Sequence, residues 1–354
     1  MSIDLLSLFP TELRALITGA GFPAYRADQL RSWIAKGVPV AEMTNLPREL
    51  KDRLAVWNAD VFLPTVSQKL VSEIDGTVKY LFTLRDGQQI ESVVMSYRHG
   101  RTICVSCQAG CRMGCRFCAS TLRGLERNLT AGEILGQIFA AQNDLNVRIA
   151  NVVMMGIGEP LDNYDNVLRF LRLVNAEDGP NIGYRHISLS TCGVVDGIRR
   201  LAEEDLPITL SVSLHNIKTE ERKQLMPITN KWSVEELLAA CRDYFAKTGR
   251  RISFEYTLIA GETDSPKRAA ELAEGLKAAL GKMPIHVNLI PLNPVSERGF
   301  TRSGAEAVAI FRDTLIARNV NATVRRRLGP DINASCGQLR YRSLPHPEAD
   351  NESE

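Results

Sequence analysis

The sequence predicts an α/β protein built around a partial (β/α)6 barrel, with a doubly wound sheet as the alternative topology. The main observation is that strand and helix patterns alternate from residue 102 onwards. Helix starts are marked by capping boxes at Thr130–Glu133, Ser233–Glu236 and Ser303–Glu306. Ser265 gives a further start, because it precedes a proline at a first helical position. Six strands are predicted, at residues 102–107, 150–156, 186–191, 208–214, 252–258 and 285–291.

Two segments precede this core. Residues 1–57 carry short helical patterns, which predict a small N-terminal helical domain. Residues 58–101 alternate with the period of strands between Gly-containing turns, which predicts a β-meander extension. The barrel core is expected over residues 102–342. The acidic, proline-containing tail at 343–354 is expected to be disordered.

Composition limits the class of protein. The chain has 354 residues, 44% of them apolar, and a net charge of +2. It shows no apolar run of membrane-spanning length and no targeting signature, so we expect a cytoplasmic protein without a membrane role. The segment from Arg98 to Asn128 contains six arginines and only one acidic residue, Glu126. A second basic group follows at Arg318 and 325–327. Two arginine groups around one predicted centre favour a polyanionic substrate.

The most specific pattern is Cys111-Arg-Met-Gly-Cys115-Arg-Phe-Cys118, which follows a predicted strand. Three thiolates at this spacing can bind three irons of a [4Fe–4S] cluster and leave the fourth iron open, whereas an electron carrier uses four cysteines. A structural zinc site needs four ligands, and neither His99 nor His186 has the spacing of a zinc finger. Disulfides are disfavoured, because a chain of this length buries an ample core. The pattern therefore predicts chemistry at an iron.

With its flanking motifs, this segment resembles the radical S-adenosylmethionine (radical SAM) superfamily, and within it the RlmN family of RNA adenine-C2 methyltransferases. The resemblance runs from about residue 5 to about residue 340. The motifs that carry it, besides the cysteine run, are Cys104-Val-Ser-Cys107-Gln-Ala-Gly, Arg127-Asn-Leu-Thr-Ala-Gly-Glu133, Met154-Met-Gly-Ile-Gly-Glu-Pro160, Ser211-Val-Ser-Leu-His215, Leu289-Ile-Pro-Leu-Asn-Pro294 and Asp331-Ile-Asn-Ala-Ser-Cys-Gly-Gln-Leu339.

The resemblance implies two cofactors, one [4Fe–4S] cluster held by Cys111, Cys115 and Cys118, and S-adenosylmethionine, used twice per turnover. Gly158 and Glu159 form a turn after a strand, where a glycine permits close backbone approach and a carboxylate can accept from an amine. By itself this turn is weak evidence, since an exposed acid in a turn is common. The resemblance assigns further cofactor contacts to the ends of later strands, at Ser190, Ser213, Leu214, His215 and Asn293.

The resemblance also implies a methyl carrier. Cys336 would accept a methyl group, the methylated thiol would be joined to adenine through a radical step, and Cys104 would release the product and leave a disulfide. Glu91 would accept the proton from the adenine. From their own neighbourhoods, Cys336 and Cys104 are equally typical of small buried residues, and Glu91 of the solvent face of a meander.

The expected substrates are 23S rRNA, near the peptidyl-transferase region, and the anticodon loop of tRNA, with the N-terminal helices as an RNA-docking domain. A flavodoxin-type electron donor and a monomeric state are expected as well. Three alternatives stay open. The first is methylation of adenine carbon 8 by the related Cfr resistance enzymes, the second a radical SAM enzyme that activates a protein partner, and the third an RNA-binding protein with a structural metal.

Overall fold

The computed structural model describes residues 2–334 and 338–343. Its strands, in chain order, are β1 Ile3–Asp4, β2 Ala59–Asp60, β3 Thr65–Val71, β4 Val78–Thr83, β5 Gln89–Tyr97, β6 Gly100–Cys104, β7 Gln108–Gly110, β8 Leu125–Asn128, β9 Ile149–Met154, β10 Ile187–Thr191, β11 Thr209–Ser213, β12 Ile252–Leu258, β13 His286–Pro291 and β14 Asn321–Val324. Its helices are α1 Pro10–Gly19, α2 Tyr25–Ile34, α3 Arg48–Val56, α4 Ala131–Leu145, α5 Tyr164–Asn175, α6 Val195–Ala202, α7 Thr219–Leu225, α8 Val234–Thr248, α9 Pro266–Leu280, α10 Ala305–Ala317 and α11 Gln338–Ser343.

One sheet of ten strands organises the molecule, in the order β14-β13-β12-β11-β10-β9-β6-β5-β4-β3. Within this sheet, the pairings that run from β6 through β9, β10, β11, β12 and β13 to β14 are all parallel, and helices connect these strands as expected of βα units. The predicted partial barrel is confirmed. All six predicted strands are present, and β14 adds a seventh parallel strand that was not predicted. Because the strands are parallel, their carboxyl ends meet at one edge of the barrel.

The meander is confirmed too, since β3, β4 and β5 pair antiparallel. It joins the barrel directly, because β5 pairs antiparallel with β6 in the same sheet. The sheet therefore continues across the boundary predicted at residue 101, and the division of the chain into these domains stays a prediction. The predicted disordered tail lies outside the described residues from residue 344 onwards.

Local capping chemistry explains the starts of α4, α8 and α9. Thr130 and Ser233 each form the predicted capping box, and Ser265 accepts from the backbone of Arg268. The prediction at Ser303 was wrong, because α10 begins two residues later with Gly304 as its N-cap and no side-chain cap. The Oγ atom of Ser303 is instead buried without a hydrogen bond among the described residues. A matching spacing of serine and glutamate does not form a capping box when tertiary packing places the serine elsewhere.

The segment before α1 packs on the barrel helix α4 through a close contact of Asp4 and Ser7 with Gly132. A β-carbon at Gly132 would lie 1.9 Å from Oδ2 of Asp4, so only glycine leaves room for this carboxylate. Oδ1 of Asp4 accepts from the Leu6 amide, whereas Oδ2 is buried without a hydrogen bond among the described residues. Burial raises the pKa of Asp4 to about 7.

We expect the raised pKa of Asp4 to lower stability as the pH rises. Between about pH 4, where the unfolded chain titrates, and about pH 7, the folded protein binds the proton more tightly, so the free energy of unfolding falls with pH. For Asp4→Asn, the free energy of unfolding measured with urea should lack this fall between about pH 4 and about pH 7. The fall attributed to Asp4 in the wild type is roughly 1–3 kcal/mol. The exposed Asp28→Asn serves as the control. Parallel pH profiles for wild type and Asp4→Asn would contradict the expectation.

Candidate active site

The cysteine loop follows β7 and is shaped by two glycines. Gly110 has a φ of +81°, and a β-carbon there would lie 2.1 Å from the carbonyl oxygen of Gly124. That carbonyl accepts from the Cys111 amide at 2.7 Å. Further along, the Cys118 amide donates to the Cys115 carbonyl at 3.1 Å. These backbone contacts hold the loop in one conformation. Cys111, Cys115 and Cys118 all line a single cavity of about 260 Å³ at the carboxyl edge of the barrel.

The environment of these thiols fits an iron–sulfur cluster. Burial raises the pKa of Cys111 to about 12 and that of Cys115 well above its ordinary value, so the thiolates need a positive group to form. The Oγ of Ser120, in the same cavity wall, is buried without a hydrogen bond among the described residues. No set of three or more His, Cys, Asp or Glu side chains within residues 2–334 and 338–343 is placed to hold one metal ion. In a cubane each thiolate binds a different iron, so the three thiols do not have to converge on one ion.

The Gly158–Glu159 turn forms the wall beside the loop. Gly158 has a φ of +110°, and a β-carbon there would lie within 3 Å of Gln108 and of Sγ of Cys107. The Glu159 side chain is buried and accepts from the amides of Leu161 and Cys192 at 3.0 and 2.7 Å. Burial raises the pKa of Glu159, and these two amides oppose the shift. The carboxylate is thereby held at the cavity wall, where it can accept from a cofactor amine.

The next strands contribute polar side chains to the same cavity. Ser190, Ser213, His215 and Asn293 all line it, and the cofactor contacts that the resemblance assigns to them stay a prediction. The structure does not bring Leu214 into the lining. Its side chain is fully buried in the main core, and its carbonyl accepts from Arg222. Successive side chains along a strand and its extension point to opposite faces. Leu214 lies between Ser213 and His215, so its side chain points away from the barrel interior.

His215 is held in a defined tautomer. Its backbone has a φ of +56°, and its ring packs edge-on against Phe117 with centroids 4.8 Å apart. The Thr257 amide donates to Nδ1 at 3.0 Å. Since an amide can only donate, Nδ1 carries no hydrogen and Nε2 carries it. Burial lowers the pKa of His215 to about 3, so the ring is neutral and can donate from Nε2 at neutral pH.

A second cavity of about 240 Å³ adjoins the first and shares Met155, Gly156, Ile290, Asn293 and Arg325 with it. It brings together residues far apart in sequence, since Glu91 and Cys104 line it together with Asn333 and Ala334. Four arginines add positive charge to its wall: Arg302, Arg325, Arg326 and Arg327. Burial raises the pKa of the Cys104 thiol to about 11, and the charge of Arg325 opposes this shift.

Glu91 does not lie on a solvent face. Its side chain and that of Lys79 are each 1% exposed and form an ion pair at 3.1 Å. The Arg340 amide, at the start of α11, donates to the Glu91 carboxylate at 2.6 Å. The acid is therefore held in the wall of the second cavity by a cation and a helix N-terminus.

Cys336 lies outside the described residues, which break after Ala334 and resume at Gln338. The last two described residues before this gap, Asn333 and Ala334, line the second cavity. The Asn333 carbonyl accepts from Lys79, which links this segment to the Glu91 ion pair. Cys107 and Cys241 belong to the main core and line neither cavity.

Sequence reasoning missed three residues of the first cavity, Cys192, Glu255 and Thr257. Glu255 is buried on β12 and accepts from Asn288 at 2.7 Å and from Ser253 at 3.0 Å. Burial raises its pKa. One signal could have found it, because polar residues at 253, 255 and 257 alternate along an otherwise apolar strand.

Comparisons with known proteins agree with this geometry. Residues 105–273 match the radical SAM superfamily, and residues 3–58 match the ribosomal RNA large subunit methyltransferase N-terminal domain. A probable dual-specificity RNA methyltransferase RlmN from Alkaliphilus oremlandii is 50% identical over 97% of this chain and 98% of its own length. One from Clostridium beijerinckii is 48% identical over 99% and 98%. The crystal structure of a radical SAM methyltransferase from Sphaerobacter thermophilus superposes with a TM-score of 0.89 at 42% identity, covering 95% of this chain and 98% of that one.

These matches confirm the resemblance and the fold predicted from the sequence. Radical SAM enzymes carry a [4Fe–4S] cluster and use S-adenosylmethionine, so the predicted cofactors are confirmed as those of the family. None of the described helices is both long and apolar enough to cross a membrane. With about half of its residues identical over nearly the whole length of such relatives, the chain belongs to the RlmN family of radical SAM enzymes.

Proposed function

We propose that this protein methylates carbon 2 of adenine in RNA, with 23S rRNA and the anticodon loop of tRNA as substrates. The observation that carries the proposal is the pair of joined cavities. One is lined by the three loop cysteines and Glu159, and the other by Cys104 and four arginines. A cofactor in the first would thus meet a nucleotide in the second.

The arginines suit the RNA side of this arrangement. Arg325, Arg326 and Arg327 are exposed at the mouth of the second cavity and can bind phosphates that flank the target. The cavity is too narrow for paired RNA, so the adenine has to leave its stack to enter, as in other enzymes that modify bases. The N-terminal helical domain would contribute further RNA contacts, in keeping with the ribosomal RNA methyltransferase domain that it matches.

Two cysteines would have different roles in the reaction. The Cys336 thiol would lose its proton and accept a methyl group by substitution at a first S-adenosylmethionine. The bound cluster and a second S-adenosylmethionine supply the radical that activates this methyl group for bond formation with adenine. Cys104 would then attack the sulfur of Cys336, which breaks the carbon–sulfur bond to the RNA and forms a disulfide. The position of Cys104 and of the described end of the Cys336 loop on one cavity supports this division.

Glu91 would accept the proton that leaves carbon 2. Its contacts with Lys79 and the Arg340 amide fix the buried side chain in the wall of the second cavity, which supports this role. A carboxylate in such a site is competent as a base once the ring proton has become acidic. We further propose that the protein acts as a monomer in the cytoplasm with a flavodoxin-type electron donor.

The proposal predicts that Cys336 is a methyl carrier. We expect mass spectrometry of the anaerobically purified protein to find one added methyl or methylene group on the Cys336 peptide. We expect Cys336→Ala to abolish formation of 2-methyladenosine in RNA, because no thiol remains to carry the group. Nucleoside analysis by liquid chromatography measures this product.

Cys241→Ala is the matched control, since Cys241 is buried in α8 and lines neither cavity. It should retain the product of the wild type. Formation of 8-methyladenosine as the main product would favour the carbon-8 alternative. An unmodified Cys336 in protein with an intact cluster and S-adenosylmethionine would contradict the carrier role.

A further inference from the structure

Arg222 is a fully buried cation next to the cluster loop. It lies on α7, and its side chain is among the largest in the structure that solvent does not reach, with 1% of the residue exposed. No carboxylate of the described residues lies within ion-pair distance of its guanidinium group. An arginine cannot shed its charge, so a full positive charge is enclosed here without a negative partner in the described part of the chain. Such burial is costly unless another charge compensates it.

The hydrogen bonds of Arg222 are all to uncharged oxygens at the strand ends that form the first cavity. Its Nε donates to the Leu214 carbonyl at 2.9 Å, and its Nη1 to Oγ1 of Thr229 at 2.7 Å. Its Nη2 donates to the carbonyls of Cys192 and Ser213 at 2.6 and 2.9 Å. These four bonds satisfy the guanidinium geometry but leave its charge unbalanced.

The cluster loop lies directly against this helix. The Arg116 amide, inside the cysteine run, donates to the Leu225 carbonyl at the end of α7. Cys115, Cys192, Leu225 and Met226 pack together in one small apolar cluster. Arg222 reaches the same cluster, because its Nη2 donates to the carbonyl of Cys192, which packs with Cys115. The unbalanced cation and the three candidate thiolate ligands thus share one water-poor region.

We propose that Arg222 is a positioning residue that supplies the countercharge of the iron–sulfur cluster and raises its reduction potential. A [4Fe–4S] cluster on three thiolates is negative, and reduction by one electron from a low-potential donor adds a further negative charge. A fixed cation in a medium of low dielectric constant stabilises the reduced form more than the oxidised form. Arg222 therefore makes reduction easier. The proposal rests on the proposed function only in requiring the cluster of the family.

The test is a potentiometric titration of the cluster in reconstituted holoenzyme, followed by electron paramagnetic resonance, without RNA. For Arg222→Gln we expect the ratio of reduced to oxidised cluster at a fixed potential to fall at least about tenfold, which for one electron is about 59 mV towards more negative values. Arg222→Lys keeps the charge and should stay near the wild-type potential. It also gives a readout if the glutamine variant loads no cluster.

Two controls separate charge from structure. Thr229→Val removes one hydrogen bond of Arg222 but leaves its charge, and Arg31→Gln removes a buried arginine that pairs with Asp178 far from the cavity. Both are expected to lower the melting temperature and leave the potential unchanged. A wild-type potential in Arg222→Gln would overturn the proposal, as would a shift in Arg222→Lys as large as that expected for glutamine. Because the titration involves no RNA, its outcome does not depend on whether the methylation proposal holds.

Discussion

Replacing Cys104 by alanine is expected to stop the reaction at a covalent adduct between RNA and protein. Cys104 lies at the carboxyl end of β6 and lines the second cavity together with Asn333 and Ala334, the last described residues before the Cys336 segment. If Cys336 becomes joined to the adenine, release needs a second sulfur nucleophile, and alanine offers none. The adduct should then accumulate to a large fraction of the enzyme, whereas in the wild type it is transient.

The adduct can be measured on a denaturing gel as a slowly migrating band that disappears after ribonuclease treatment. Cys107→Ala is the matched control, because Cys107 is three residues away and fully packed in the main core. We expect it to release methylated RNA without accumulating adduct. Equal accumulation in both variants would show that release does not depend on Cys104 in particular. Normal turnover by Cys104→Ala would rule out the resolving role.

Gly158→Ala is expected to cause the largest loss of cofactor binding from a single added methyl group. The residue combines a φ of +110° with contacts that leave no room, since a β-carbon would lie 2.7 Å from Cβ and 2.8 Å from the amide nitrogen of Gln108. That side chain accepts from the Glu159 amide at 2.8 Å and so helps to place the carboxylate. The turn would have to move, and Glu159 with it. We expect the affinity for S-adenosylmethionine to fall at least about tenfold, or about 1.4 kcal/mol.

Gly261→Ala isolates the backbone contribution to this loss. Gly261 also has a positive φ, of +75°, but a β-carbon there meets nothing within 4 Å. We expect it to cost roughly 1 kcal/mol of stability and to leave cofactor affinity unchanged. Because the added β-carbon has no room, the free energy of unfolding of Gly158→Ala should fall by roughly 1–3 kcal/mol more than that of Gly261→Ala. Calorimetric binding to the reconstituted protein and thermal unfolding measure the two quantities. Equal affinity in the two variants would contradict the role given to this turn.

The fold was predictable where the signal is local. Hydrophobic periodicity located the six strands, and the capping boxes at Thr130 and Ser233 located two helix starts, because both effects act over a few neighbouring residues. The strand β14 escaped prediction, since it has only four residues and only one of them is buried, which leaves too short an apolar pattern to establish a period. Ser303 misled because a spacing alone does not say where a serine will be packed.

The candidate site divides in the same way. Cysteine spacing pointed to the cluster loop, because three thiolates on one short segment lie close together in almost any fold. The partners of Glu91 could not be predicted, since Lys79 reaches it across the β4–β5 pair and Arg340 from the other end of the chain. The same holds for Arg222, whose acceptors lie at the ends of two different strands.

Short segments of the sequence thus specify the chemically active residues of this protein, and tertiary packing decides how those residues are arranged. Residue types and spacing specified the cysteine loop, the glycine turn and the alternation of strands and helices, since each depends on bonds and contacts within a few residues. Which residues share a cavity depended on the order of strands in the sheet. Only that order places Cys104 beside Arg325 and encloses Arg222 behind Cys192. Contacts between residues so far apart in the chain arise from burial of the common core, which the sequence of any one segment does not encode.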